Sequence, residues 1–412
     1  MRILFLQKRL LFPADTGGKI RTLNVLRHLA QWHDVTYLSN LLVAERPFVQ
    51  PMRELGLRLE NIPWREPPRR SLRFAASAVI NVASRYPLNV AKDYDRRLRA
   101  RAAELLQQEG YDLLICDFVQ MARNAIGLPV RSLLFQHNVE AEIFSRLALR
   151  HRGPMAMYLR QQAAKMQAFE GAAGRRFDRV VAVSERDRQR FEQMYGWPHV
   201  RTIDTAVDLN FFRPLDGKTR ADDQVVFVGS MDWPPNVDGV THFVRRIWPQ
   251  VRSQVPTATF TIVGRNPPRS VQDLDHHPGV RVTGTVTDIR PYLARASVGV
   301  VPLYSGGGTR LKIFEMMAMR CPVVSTALGA EGLRLQPAEH LLLADDDEAF
   351  AKAVIGLLED PVQRGGLRDR AYQLVQQQYS SEAVARQFEQ VCQEAARANC
   401  PGQNPACERE GR

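Results

Sequence analysis

The stretch "VGVVPLYSGGGTRLKIFE", residues 298–315, contains the three parts that decide the fold. An apolar run typical of a buried strand ends at Pro302, three glycines follow, and a segment with helical spacing begins after Thr309, which suits the N-cap position. Glycine lets backbone N–H groups approach an anion closely, and a helix start adds free N–H groups and the positive end of its dipole. This order predicts an α/β fold with a phosphate site at the turn.

The side chains at the start of this helix fit a nucleoside diphosphate. Arg310 and Lys312 would place positive charge against the phosphates, and Glu315, one turn further on, would accept hydrogen bonds from ribose hydroxyls. A plainer interpretation is also open. In it the glycines form an ordinary loop, and Glu315 pairs with Lys312 on the surface of the helix.

Strands and helices alternate through both halves of the chain. Apolar runs such as "RILFLQ" in the first half and "TFTIVG" in the second are separated by helical segments, which predicts parallel sheets covered on both faces. We therefore predict two doubly wound, Rossmann-like domains that face each other across a cleft. The predicted parts are a domain at 1–205, a linker at 206–222, a domain at 223–380, a helix at about 381–398 that packs back on the first domain, and a flexible tail at 399–412.

Composition narrows the possible partners and the compartment. The 412 residues carry a net charge of +12, which suits nucleic acid, anionic lipid or a phosphorylated ligand; no nucleic-acid-binding motif accompanies it, so we expect no nucleic-acid partner. The five cysteines form no CxxC pair, which favours a reducing compartment. The sequence has no GxGxxG motif and no apolar run of about 18 residues, and we expect the stretch "MRILFLQKRLLF" to be a buried strand and not a signal peptide. These absences argue against a nicotinamide enzyme and predict a cytoplasmic protein.

Longer motifs resemble the family 4 glycosyltransferases, which have the GT-B fold. They are "VVFVGSMDWPPNVDGV", "TFTIVGRNPP" and the segment from "VRVTGTV" through "GGGTRLKIFE" to "GAEGL", which together span most of residues 225–333. "FPADTGGKIRTLNVLRHL" and "LLFQHNVE" extend the resemblance over the N-terminal half. The sequence looks most like a subgroup associated with bacterial exopolysaccharide systems.

This resemblance implies an activity. A sugar would pass, with retention of configuration, from a nucleotide-sugar to a hydroxyl on a glycan, a lipid-linked acceptor or a polysaccharide intermediate. The nucleotide-sugar is a co-substrate, and neither a metal nor a further cofactor is implied. Closure of the two domains would bring the acceptor side against the donor.

The resemblance also implies roles for single residues of this sequence. Glu315 matches the second glutamate of the family's E-x7-E motif, whereas the first falls at Gly307, so we expect no covalent intermediate there. His137 matches a histidine at the sugar, and Arg310 and Lys312 match positions that face the donor phosphates. These last three are the implied catalytic residues.

Further positions are implied to bind the donor. Val286 lies where the base is recognised through backbone groups, and Ser230 stands where many family members carry arginine. Gly17 and Gly18 match a loop near the donor phosphate or the acceptor; alternatively they form a tight strand-to-helix turn with no ligand. The remaining implied donor positions are Gly229, Arg265, Gly306, Gly307, Gly308, Thr309 and Leu311.

Several alternatives stay open at the level of sequence. The rival functions are a GT-B nucleotide-sugar 2-epimerase, a sugar phosphorylase and a non-catalytic donor-binding protein. Glu140 and Glu142 lie beside His137 and could orient an acceptor hydroxyl. The basic segment 65–101 could dock on the anionic inner face of the cytoplasmic membrane, line the acceptor groove or form ordinary helices with solvated arginines.

Two acidic clusters need a separate interpretation. Asp345–Asp347 resemble a metal-binding DxD motif but directly precede a helix, where acidic residues cap the N-terminus. We predict capping. The stretch "DLDHHPG", residues 273–279, is predicted to be a loop, and it lacks the spacing of metal ligands.

Overall fold

The computed structural model describes residues 1–14, 16–66, 71–149, 151–214, 223–305 and 311–397, without the side chains at 72–75. The chain forms two compact units. The first comprises Met1–Asp204 and the chain from Ala385 onward, and the second comprises Thr205–Val384. No helix in these ranges is long and apolar enough to cross a membrane.

The first unit is built on a parallel sheet. Within the described residues its strand order is β3-β2-β1-β4-β5-β6-β7, with the crossover between β1 and β4. Residues Ile3–Leu6 of β1 are fully buried because helices cover both faces of the sheet. The strands are β1 Arg2–Gln7, β2 Asp34–Leu41, β3 Arg58–Pro63, β4 Leu113–Asp117, β5 Ser132–Gln136, β6 Arg179–Ala182 and β7 Val200–Thr202.

Helices connect the strands of this sheet. α1 follows β1 directly, and α7 and α8 pack against each other as a hairpin after β5. The helices are α1 Gly17–Trp32, α2 Val49–Arg53, α3 Leu72–Asn81, α4 Leu88–Lys92, α5 Arg96–Gln108, α6 Ala122–Ala125, α7 Glu140–Leu149, α8 Gly153–Gly174 and α9 Glu185–Tyr195; short 3-10 helices lie at Val43–Phe48 and Val119–Met121.

The second unit repeats the architecture. In the described part its parallel strands are ordered β10-β9-β8-β11-β12-β13. The strands are β8 Gln224–Val228, β9 Thr259–Val263, β10 Val280–Gly284, β11 Val298–Val301, β12 Val323–Ser325 and β13 Leu342–Leu343. The helices are α10 Pro234–His242, α11 Trp248–Gln254, α12 Arg269–Gln272, α13 Arg290–Arg295, α14 Leu311–Ala318, α15 Asp347–Glu359 and α16 Pro361–Leu374, with π-helical turns at Phe243–Ile247 and Val375–Tyr379.

The last helix, α17 (Ser381–Arg397), belongs largely to the first unit. The ring centroid of Phe388 lies 4.9 Å from that of Phe135 on β5. The guanidinium of Arg386 lies 3.4 Å from the ring centroid of Trp32, at the end of α1. A segment distant in sequence therefore completes the core around β5.

The predicted α/β fold of two doubly wound parallel sheets is confirmed. Three strands were not predicted, namely β3, β7 and β13, because β3 is largely polar and the other two span only three and two residues. The stretch 273–279, predicted to be a loop, instead begins with a 3-10 helix at Asp273–His276. Residues 215–222 of the predicted linker and the predicted tail at 399–412 lie outside the described residues.

Candidate active site

A cavity of about 380 Å³ lies in the second unit, where the carboxyl ends of β8, β9 and β10 meet the start of α14. This is the edge of a parallel sheet at which ligands bind in doubly wound folds. Many of the predicted donor positions come together here. The lining residues are Val228, Gly229, Ser230, Val263, Gly264, Arg265, Thr285, Val286, Ile289, Lys312 and Glu315.

Lys312 extends from α14 toward the end of β8. Its Nζ donates a hydrogen bond to Asn236 Oδ1 at 2.7 Å and lies 4.4 Å from the ring centroid of Phe227. A Cβ atom on Gly229 would lie only 2.7 Å from this Nζ. Glycine at position 229 is therefore required for the ammonium group to take this position.

Asn236 was missed by the sequence interpretation. It is 3% exposed, and its Nδ2 donates to the backbone oxygen of Ser230 at 2.7 Å while its Oδ1 accepts from Lys312. One amide thus fixes both the loop after β8 and the cation of α14. The available signal was an asparagine in the first turn of the helix that follows the "VGS" strand end.

Glu315 lies one turn further along α14 and is partly buried. Burial raises the pKa of its carboxyl group to about 7, although the nearby Lys312 acts in the lowering direction. Among the described residues no hydrogen bond reaches this carboxylate. The cavity therefore contains a carboxyl group whose oxygens are available to a ligand.

Arg265 forms part of the rim of the cavity, in the loop after β9. Its Nε donates to Ser230 Oγ and to Asp232 Oδ2, both at 3.1 Å, and its side chain is 60% exposed. Hydrogen bonds from Asn266 and then Ser230, with Arg265 contributing charge, lower the pKa of Asp232. Asp232 was not predicted as a site residue, yet it holds the guanidinium above Ser230.

The other predicted donor positions divide into two groups. Val286 lines the cavity, and Leu311 opens α14 directly before Lys312. The central part of the motif falls outside the described residues. It consists of Gly306, Gly307, Gly308, Thr309 and Arg310.

His137 lies in the first unit, directly after β5, and is 2% exposed. Its Nε2 lies 2.6 Å from Oδ1 of the fully buried Asp117 at the end of β4. The other oxygen of Asp117 accepts from Thr22 Oγ1 at 2.8 Å and from Gln7 Nε2. Because the carboxylate accepts at Nε2, this nitrogen carries a hydrogen; Nδ1 is buried and has no partner in the described part of the chain.

Aromatic rings enclose His137. The ring centroid of Phe118 lies 4.1 Å away in a stacked arrangement, and that of Phe135 lies 4.3 Å away. A Cβ atom on Gly18 would lie 2.6 Å from Phe118 Cζ, whereas none on Gly17 would meet an atom within 4 Å. Packing against Phe118 therefore accounts for glycine at position 18. Because rings enclose His137, these rings must move before the histidine can contact a sugar.

The two glutamates predicted beside His137 have different environments. Burial raises the pKa of Glu140, whereas Arg146 and Arg190 donate to Glu142 and lower its pKa against the opposing effect of burial. A third, unpredicted carboxylate lies nearby. Glu170 of α8 accepts from Gln136 Nε2 at 2.9 Å, and also from the backbone nitrogens of residues 140 and 141 and the hydroxyl of Tyr195.

A second cavity, of about 340 Å³, follows β1 and β4 in the first unit. It is lined by Lys8, Lys19 and Lys92 together with the ring of Phe118. Lys8 pairs with Asp93 at 2.8 Å. The cavity thus combines basic and apolar walls beside the ring that stacks on His137.

The acidic cluster at 345–347 has structural partners. Asp346 Oδ1 caps α15 by accepting from the backbone nitrogen of Ala349 at 2.8 Å, which confirms the predicted capping. Asp345 accepts from the backbone nitrogen of Ala327, and Asp347 lies 2.6 Å from His242 Nε2. Within the described ranges, no group of three or more His, Cys, Asp or Glu side chains is arranged to hold a metal ion.

Comparisons with known proteins fit this geometry. The model described as Glycosyltransferase Family 4 matches residues 16–211, and the one described as Glycosyl transferases group 1 matches residues 222–360. An uncharacterized 44.6 kDa protein in the cps region of Klebsiella pneumoniae is 21% identical over 391 residues, which cover 90% of this chain and 95% of that protein.

Two further proteins are similar over shorter or more divergent alignments. The phosphatidyl-myo-inositol mannosyltransferase of Mycolicibacterium smegmatis is 28% identical over 277 residues, which cover 63% of this chain and 70% of that protein. Anabaena HepE, crystallised in complex with UDP, has a similar fold with a TM-score of 0.61 at 14% identity, covering 96% of this chain and 100% of HepE.

Two Rossmann-like units, one with a cavity at the carboxyl ends of its strands, define a GT-B protein. The matched models span both units. The chain belongs to family 4 of the glycosyltransferases, as its motifs predicted, and it is a glycosyltransferase.

Proposed function

We propose that this enzyme transfers a sugar from a nucleotide-sugar to a hydroxyl acceptor with retention of configuration. In this proposal, the cavity of the second unit binds the nucleoside diphosphate part of the donor. One observation carries the proposal: the ammonium group of Lys312, which donates to Asn236, and the carboxyl group of Glu315 line one cavity less than a turn apart on α14.

Electrostatic stabilisation would provide most of the catalysis in the donor cavity. Lys312 and Arg310 would stabilise the departing diphosphate, because preorganised cations act strongly where negative charge develops. Neither a metal nor another cofactor is required in this scheme. Arg265 at the rim adds a third cation, which replaces the positive charge that Ser230 lacks.

The carboxylate of Glu315 would accept hydrogen bonds from the ribose hydroxyls, and backbone groups near Val286 would contact the base. Anabaena HepE was crystallised with UDP and also with UDP-glucose. This supports UDP as the first nucleotide to test.

Retention is proposed to occur by attack on the same face as the departing diphosphate. Gly307 offers no side-chain carboxylate where the E-x7-E motif has its first glutamate, so a covalent intermediate at that position has no nucleophile. His137 is proposed to contact the sugar, and the start of α1 at Gly17–Gly18 is proposed to contact the donor phosphate or the acceptor. Asp117 would then be a positioning residue that holds His137 through Nε2.

The acceptor is proposed to be a glycan, a lipid-linked sugar or a polysaccharide intermediate. Two relatives support this class: one is a protein of a cps region, and the other is named as a phosphatidyl-myo-inositol mannosyltransferase. The cavity lined by Lys8, Lys19 and Phe118 offers basic and apolar contacts on the acceptor side.

Calorimetric titration with UDP, GDP and ADP tests the donor site. We expect one nucleotide to bind the wild type, and Lys312→Ala to weaken that binding by about tenfold to hundredfold, because a hydrogen bond to a charged group contributes about 1.5–3 kcal/mol. Lys352→Ala is the matched control, since this lysine of α15 is 73% exposed and pairs only with Glu348 in the described residues. A folded wild type that binds none of the three nucleotides would refute the proposal.

A further inference from the structure

Exposed apolar side chains are concentrated on one part of the first unit. Of the thirteen large hydrophobic residues that are exposed in the described part of the chain, eight lie in two short segments. Leu149 is 80% exposed, at the tip of the α7–α8 hairpin. The eight residues are Val79, Ile80, Val82, Ile143, Leu147, Leu149, Met155 and Met157.

The two segments are neighbours in space. Lys165 Nζ of α8 donates to the backbone oxygens of Asn81 at 2.7 Å and Val82 at 3.0 Å, and Gln161 Nε2 donates to Val82 at 3.1 Å. Met157 lies four residues before Gln161, so it continues the same stripe of the helix. The end of α3 and the hairpin therefore form one surface, here called the apolar–basic face.

Basic residues outnumber acidic ones on this surface, where Glu142 of α7 pairs with Arg146. Residues 67–92 and 143–169 contain no Asp or Glu, although 44 acidic residues in 412 average about six in a length of this size. The same segments contain ten basic residues, and Arg152, directly before α8, and Arg160 on α8 are exposed. The ten are Arg69, Arg70, Arg73, Arg85, Lys92, Arg146, Arg150, Arg152, Arg160 and Lys165, of which Arg69, Arg70 and Arg150 lie outside the described residues.

We propose that the apolar–basic face docks on the surface of an anionic lipid bilayer. Leu149, Met155 and Met157 would enter the boundary between headgroups and acyl chains, while the surrounding arginines contact lipid phosphates. A cluster of exposed apolar side chains with a surplus of basic neighbours is unusual for a surface that faces only water. Anionic lipid satisfies both the apolar and the charge character of the face.

Self-association through the same face fits less well. Two copies would bring together two surfaces that each have a surplus of basic residues, and like charges at an interface cost free energy. A bilayer rich in anionic lipid offers the opposite charge. The proposal goes beyond sugar transfer, and it places the first unit of the enzyme at the membrane surface, where lipid-linked acceptors are found.

Sedimentation with lipid vesicles tests the proposal. We expect the full chain to bind vesicles containing about 30% phosphatidylglycerol and not pure phosphatidylcholine, because each basic residue near the surface raises affinity about fivefold on anionic membranes. Binding should weaken as NaCl rises from about 0.1 to about 0.5 M, since salt screens charge. Vesicle binding needs no substrate, so its failure would leave the donor proposal intact.

Two matched pairs of variants locate the surface. The double variant Arg152→Glu, Arg160→Glu should lower vesicle affinity at least about tenfold. The control is the double variant Arg245→Glu, Arg246→Glu, which changes two exposed arginines of the second unit. It alters the net charge by the same amount and should leave vesicle affinity unchanged. Leu149→Ser should weaken binding by about tenfold or more, which corresponds to the transfer free energy of one leucine side chain. Its control is Val362→Ser, since Leu149 and Val362 are 80% and 84% exposed.

Three results would overturn the proposal. The first is a wild type that binds neither kind of vesicle, or binds both kinds equally. The second is unchanged binding by the Arg152→Glu, Arg160→Glu variant. The third is a dimer in sedimentation velocity that Leu149→Ser separates into monomers, because the face would then be covered by a second copy of the chain.

Discussion

Two polar clusters of the molecule lie at the carboxyl ends of parallel strands but are built in opposite ways. Both follow the carboxyl ends of adjacent parallel strands, β4 and β5 in one unit and β8 and β9 in the other. In the first, Asp117 and His137 are buried and bonded to each other. In the second, Lys312 and Glu315 line an open cavity.

Side-chain volume explains the difference. The rings of Phe118 and Phe135 occupy the space around His137. Beside the cavity of the second unit, glycines follow β8 and β9: a Cβ atom on Gly264 would lie 2.2 Å from the backbone oxygen of Gly229. The space beyond the carboxyl ends of parallel strands is therefore filled where aromatic residues lie beside the strands and open where glycines follow them.

The largest effect is expected at Asp117. Asp117→Ala would leave His137, Thr22 and Gln7 without their common acceptor in a buried cluster. We expect the free energy of unfolding to fall by about 3–5 kcal/mol, as when one partner of a buried pair is removed. Urea denaturation measures it. Asp34→Ala is the control, because Asp34 is 59% exposed and pairs with Arg2. If Asp117→Ala lowered the free energy of unfolding no more than Asp34→Ala does, the buried cluster would not be stabilising.

An intermediate effect is expected from the ionisation of Glu315. With a pKa of about 7, this group becomes a full acceptor only as pH rises, so UDP affinity should increase by up to about tenfold between about pH 6 and pH 8. Calorimetry on the wild type and Glu315→Gln measures this. The ionisation of UDP affects both proteins alike, so it is the difference between the two profiles that reports the carboxyl group.

The same group has a predictable effect on stability. Its pKa in the folded chain lies above the ordinary 4.5, so the folded state binds the proton more tightly than the unfolded state. The tighter proton binding stabilises the folded state below about pH 4.5, and this stabilisation is lost as pH rises through 7. The free energy of unfolding of the wild type, relative to Glu315→Gln, should therefore fall across this range; a flat difference would contradict the raised pKa.

The smallest effect is expected at Asp232, the exposed counterpart of Asp117. Asp232→Ala releases the guanidinium of Arg265 and removes a negative charge from the cavity rim. We expect UDP affinity to rise about twofold to fivefold, while the free energy of unfolding changes by less than about 1 kcal/mol, as for exposed ion pairs. Titration and urea denaturation of one preparation measure both. Weaker UDP binding would show that Asp232 holds Arg265 in its binding position.

The sequence was sufficient to predict what local patterns encode. The buried strands appear as apolar runs, and Lys312, Glu315 and Gly229 belong to short motifs at strand ends, so the cavity could be placed before the structure was known. Asp117 and Asn236 could not be found in this way. Their roles arise from contacts with Gln7 and Lys312, at separations of 110 and 76 residues, and no local spacing reports such distances.

Helix α17 has a consequence for the order in which the chain is completed during synthesis. The second unit is a continuous stretch, whereas the first needs Phe388 and its neighbours from α17 to cover Phe135. At about 5–20 residues per second, roughly 10–40 s pass between the emergence of Asp204 and that of Arg397. During this interval the first unit exposes an apolar surface to the ribosome and to chaperones. This surface is covered only when α17 has been synthesised and packs against β5.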